Sequence, residues 1–136
     1  MTERKYLPTV AELIDRLAIV TLKSCKIPEN KEKYEEEAHL IMEDLDNLGQ
    51  NGQKVRAILM IGITNNEIWM NESQAREGGS EQDHLLKYTH SINGVRNQAK
   101  NVISNITGDR VDLKLDCIAA NICKERGYNW EVQWEK

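Results

Sequence analysis

Three stretches of this chain have residue types and spacings that could do chemistry. Glu36-x-x-His39 and Glu81-x-x-His84 each set a carboxylate and an imidazole three residues apart. Di-iron helical bundles use that spacing to bring both ligands to one face of a helix. The third stretch, His90 to Asn101, has no acid in it, and none occurs anywhere from His84 to Gly108 in a chain of net charge −4. At about 100° per residue, Ile92, Val95, Ala99, Val102, Ile103 and Ile106 fall on one side. His90, Asn93, Asn97, Lys100, Asn101 and Ser104 fall on the other, with Arg96 at the border. A solvated face is the simpler account of such a stripe. But asparagine is a poor helix former, since its amide competes for backbone groups, so three on one face carry a cost that Glu, Gln or Lys would avoid. The sharper expectation is a recognition strip, in which amides and two cations await an anionic, hydrogen-bonding ligand.

The elements that would position these residues are helical. Thr9 and Glu12 form a capping box, which starts a helix with Val10, Leu13, Ile14, Leu17, Val20, Thr21, Ser24 and Cys25 on one stripe and Ile19 and Leu22 off it. Ile27-Pro28 ends that helix. A second helix is predicted over 30–48, with a narrow seam of Tyr34, Ala38, Ile41, Leu45 and Leu48. Gly49 stops it. A third helix is predicted over 53–77. Its apolar stripe of Val55, Ile58, Leu59, Gly62, Trp69 and Met70 would put Asn66 mid-face. A buried amide needs partners, either a structural one such as Thr21 or Ser24 or a ligand in a pocket. Glu72 and Arg76, four apart, could pair. Gly78-Gly79 breaks the chain, and Ser80 caps a fourth helix that runs to Thr107-Gly108. A fifth is expected from Asp109 to Gly127, although Val111, Leu113 and Leu115 also alternate like a strand. In the tail, Trp130, Val132 and Trp134 share one side at period two, which suggests an extended segment over the bundle. The fold class expected is therefore all-α: an antiparallel bundle of four to five helices, core about 9–126, with a C-terminal tail over 127–136, in one domain spanning 1–136.

On this frame the metal readings weaken. Glu36, His39 and Glu43 fall opposite the second-helix seam, Glu12 points away from its own stripe, and Glu81 suits a positive helix end. Glu36, Glu37, Glu43 and Asp46 also invite comparison with the all-helical nucleoside-triphosphate pyrophosphatases. Those hold magnesium between acidic sets on two helices, and the third helix here offers no second set. There is no Gly-x-Ser-x-Gly and no glycine-rich phosphate loop, and the cysteines have no basic neighbours beyond Lys26 and Lys124. No metal or cofactor is expected. The acidic pI near 5.4 argues against broad nucleic-acid binding. No apolar run approaches the ~20 residues of a membrane span. The first residues lack a signal core, and Cys25, Cys117 and Cys123 have no metal spacing. The expected location is therefore the cytoplasm, with reduced thiols.

Glu12-Leu-Ile-Asp-Arg-Leu17 with Lys23, Asn66-Glu-Ile-Trp69 with Glu72 and Arg76, and Asn93, Arg96, Asn97 and Lys100-Asn101 together resemble small helical proteins of tailed phages, notably those of cyanobacteria, and of surface-polysaccharide loci. The likeness covers roughly residues 9–116. It implies an all-helical fold and a phage origin, hence a host cytoplasm, and transfers no catalytic residue. The expected function is a non-enzymatic binding protein for a small anionic ligand, with a nucleotide signal as one candidate. The expected site comprises His90, Asn93, Arg96, Asn97, Lys100 and Asn101, with Asn66 and Arg76. The alternatives are a protein-interaction module or homo-oligomeric structural protein, and then a metal-dependent nucleotide hydrolase. Ile19, Leu22 and the tryptophan tail predict a homo-oligomer.

Overall fold

Thr9 caps the first helix as its sequence requires. Its hydroxyl oxygen accepts from the Glu12 backbone N–H at 3.1 Å, and the Glu12 carboxylate accepts from the Thr9 N–H in return. In the computed structural model, which describes residues 6–77, 82–111 and 127–134, this helix is α1 (Val10–Lys26). Pro28 opens a short 3-10 turn, Pro28–Asn30, that feeds α2 (Lys31–Asn47). Then come α3 (Gly52–Arg76) and α4 (Gln82–Thr107). Gly49 and Gly108 take the positive φ that ends α2 and α4. The described residues hold no strand. The fifth helix expected between Asp109 and Gly127 falls almost wholly outside them.

The bundle is built as two pairs, α1 on α2 and α3 on α4. One apolar cluster joins Leu13, Leu17 and Val20 of α1 to Ala38, Ile41, Met42 and Leu45 of α2. The other joins Ala57, Met60 and Ile68 of α3 to Tyr88, Ile92, Val95 and Ala99 of α4, with Cys25 and Trp130. The α1 stripe thus packs as its pattern requires, and Ile19 and Leu22 stay exposed. No helix of the described residues is long and apolar enough to cross a membrane.

Two faces differ from the pattern reading. On α2, Leu48 is half-exposed, while Glu35 and His39 are buried, so His39 does not lie opposite the packed seam. On α3 the buried line is Arg56, Ala57, Met60, Thr64, Ile68 and Asn71; Ile58, Trp69, Met70 and Asn66 face solvent. The helix is apolar on several sides, so periodicity alone cannot choose its inner face. A polar contact across the helices turns Arg56 inward, to Glu35 of α2, while the buried Thr64 hydroxyl and Asn71 amide are satisfied within α3 by the Met60 and Glu67 carbonyls.

The α2–α3 junction is closed by Gly52, whose N–H donates to Asp46 Oδ1 at 2.7 Å. A Cβ there would lie 2.7 Å from Met42 Cα and 2.8 Å from Met42 Cβ, whereas one on Gly62 meets nothing within 4 Å. Gly52→Ala should therefore lose about 1–3 kcal/mol, since the clash is with backbone that cannot rotate away. Gly62→Ala should gain about 0.5–1 kcal/mol from helix propensity. Urea melts of the two variants should move in opposite directions; equal midpoints would refute the close approach.

Candidate functional site

α4 carries the predicted strip on an unbroken helix, because its apolar residues are spent on the core: Tyr88, Ile92 and Ala99 are fully buried. Of the strip, His90 and Lys100 are exposed, and Asn93, Arg96, Asn97 and Asn101 are half-buried. Asn66 and Arg76, the two α3 members, are exposed. The expectation of a buried Asn66 is thus overturned. The hydroxyl of Ser24, one of its suggested partners, donates instead to the Thr21 carbonyl at 2.7 Å.

The structure joins the strip to α3 through Arg96. Its Nη1 donates to Asn65 Oδ1 at 3.0 Å. Its Nε is buried with no hydrogen-bond partner among the described residues. No carboxylate pairs with it there; Asp15 and Glu72 do not. The guanidinium is therefore fixed by a neutral amide, which orients it without neutralising its charge. Lys100 lies one helical turn along α4 on the same side, and Asn93 one turn back. On α3, Trp69 is one turn from Asn65 and Arg76 three turns from it, on the same exposed line. Asn66 is offset by about 100° around the helix and does not share that line. Asn65 is the residue sequence reasoning missed. Its only signal was adjacency to Asn66 on a helix whose inner face was misassigned.

A second constellation, absent from the sequence reading, joins α2 to the start of α3. Glu35 and Arg56 make a fully buried, bidentate ion pair with both N–O distances at 2.9 Å. Lys31 approaches Glu35 at 3.9 Å and donates to the Ser24 carbonyl at 3.2 Å. Burial pushes the Lys31 ammonium below its usual value, against the pull of the Cys25 thiol and Glu35; burial also pushes the Cys25 thiol up. Above the ion pair lies an open cleft of about 560 Å³, walled by Lys31, Glu35, Glu36, His39 and Gln133. Glu35 is already neutralised by Arg56, and the charges left on the cleft walls are Lys31 and the exposed carboxylates of Glu29, Glu32 and Glu36. The signal for this network was Lys31-x-x-x-Glu35, an i,i+4 pair continuous with the Ala38–Met42 face.

Among the described residues, no three His, Cys, Asp or Glu side chains group as metal ligands. Glu36, Glu37 and Glu43 are exposed, and Asp46 is engaged by Gly52. Glu81 and the His84 side chain lie outside the described residues. No protein-family model, curated protein or solved structure matches this chain.

Proposed function

We propose that this chain is a non-enzymatic binding protein whose α3–α4 face takes a small anionic ligand. One observation carries the reading: Arg96 is half-buried, held by Asn65 and unneutralised by any described carboxylate. Arginine can fork onto a phosphate or carboxylate through parallel N–H donors, and Lys100 adds a point charge one turn away. Asn93 and Asn97 supply amide donors and acceptors. Trp69, 66% exposed one turn beyond Asn65, offers a ring face. A phosphate-bearing ligand with a flat ring, such as a nucleotide, would use all of these. A phage protein capturing such a molecule in the host cytoplasm fits this chemistry.

The test is a panel of nucleotides, with and without magnesium, followed by mass spectrometry of what is recovered. Unchanged ligand in the complex supports binding. Turnover supports a metal-dependent hydrolase instead. Charge-assisted contacts contribute ~1.5–3 kcal/mol, so Arg96→Ala should weaken binding at least about tenfold while moving stability by no more than ~0.5 kcal/mol. Wild-type affinity in a folded Arg96→Ala chain would end the proposal.

A second reading is favoured by the exposed Ile19, Leu22, Ile58 and Trp69: an interaction surface through which copies associate. Trp130 is buried in its own core and Trp134 half-buried against it, so the tail no longer supplies exposed apolar area for that purpose. Light scattering at micromolar concentration should give a multiple of 15.6 kDa; a monomer mass refutes self-association.

A further inference from the structure

The surface around Arg96 is free of acid on both helices that form it, in a chain that is acidic as a whole. On α4 no Asp or Glu occurs between His84 and Gly108. On α3 the acids nearest Asn65 are Glu67 and Glu72. Glu67 is committed inward, to Lys26 at 3.1 Å and to the Tyr88 hydroxyl at 3.1 Å. Glu72 lies about 10 Å further along the helix at 1.5 Å per residue, and it pairs with no cation among the described residues. Arg96 and Lys100 stand one turn apart, so two positive charges share about 6 Å of helix surface. Arg96 Nε is sealed from solvent, which reduces the screening of the guanidinium relative to a fully exposed one.

Asn65 preserves this balance. An aspartate of the same shape could accept from the same Arg96 Nη1, and it would cancel the charge. The amide accepts at 3.0 Å and cancels nothing. Two uncancelled charges suit a ligand group that itself bears two. A phosphate monoester becomes a dianion above its second pKa of about 6, whereas a phosphodiester has no second proton to lose and stays a monoanion.

We propose that the Arg96–Lys100 surface selects terminal phosphate monoesters over phosphodiesters, and that Asn65, acting through Arg96, is the positioning residue that sets this preference. The proposal rests on the reading of Arg96 as an anion contact. Two probes share base and sugar and differ in whether the phosphate is closed into a diester: adenosine 5′-monophosphate and adenosine 3′,5′-cyclic monophosphate. Calorimetric titration of the full-length wild type should favour the monoester by at least about tenfold. Asn65→Asp, nearly isosteric and at an exposed position, should weaken the monoester at least about tenfold and the diester less, so that the preference falls below about threefold. Lowering the pH from about 7.5 to about 5 protonates the monoester, so its affinity for wild type should fall while that of the diester holds. Protonation of the exposed His90 would favour both probes and so cannot produce that split. The wild-type ratio and its pH profile stand whether or not the variant folds. Equal affinities for the two probes, both lost in Arg96→Ala, overturn the selectivity and leave the anion site standing. A monoester preference that survives in a folded Asn65→Asp chain overturns the role of Asn65. If neither probe binds, the anion-site reading falls and the selectivity falls with it.

Discussion

Glu35→Ala is expected to destabilise the protein by about 3–5 kcal/mol, read as a fall in the urea midpoint at unchanged slope. Arg56 has no exposed surface, and Glu35 only 2%. Removing the carboxylate leaves a guanidinium in the interior with one remaining acceptor, the Gln133 carbonyl, and an Nε that already lacks one. Arg56 has no solvent contact in the intact fold, so the charge it keeps is largely desolvated. The double variant Glu35→Leu with Arg56→Met should recover most of the loss, because it removes both desolvation costs together. A single variant that costs under about 1 kcal/mol would mean that the pair is hydrated in solution. Equal losses in the single and double variants would show that the pair contributes beyond its charges, through its hold on the Gln133 carbonyl.

Trp130→Ala should cost about 3–5 kcal/mol, from lost burial and the cavity left among Cys25, Met60 and Tyr88. Trp69→Ala should cost no more than ~0.5 kcal/mol, although it deletes the same side chain. The difference lies in burial alone: 1% against 66% exposed. Thermal melts of the two variants side by side decide it. Comparable losses would mean that Trp69 is covered in solution, as a self-associating α3 face requires.

Those two tryptophans mark where the sequence was legible and where it was not. Helix positions were readable, because each boundary has a local cause: the Thr9–Glu12 box, Pro28, Gly49 and Gly108. Faces were readable on α1, and on α4 along Ile92, Val95 and Ala99, although α4 also buries Thr89 and Ser91 and leaves Leu86 and Ile106 exposed. On α3 they were not, and its orientation is set by a contact 21 residues away in sequence, Arg56 to Glu35. A glutamate on a charged helix looks solvated until its partner is known, so neither the pair nor the buried His39 could be read from α2 alone. For the candidate site, Arg96, Lys100 and Asn93 came from composition and spacing. Asn65 depended on the α3–α4 register, which no local signal encodes, and Asn66 went to the wrong environment with the rest of its face.

The grip of Arg56 on the Gln133 carbonyl spans 77 residues, which has a consequence in time. At about 5–20 residues per second, a ribosome takes roughly 4–15 s to pass from one partner to the other. Helices form in microseconds or less, so α1, α2 and much of α3 can pair while residues 128–134 do not yet exist. During that interval the nascent bundle carries an open tryptophan hole and cationic grips without their carbonyls. The core is completed from the late-made end of the chain, and the interval before completion is when its unfilled apolar surface is most open to a foreign aromatic segment.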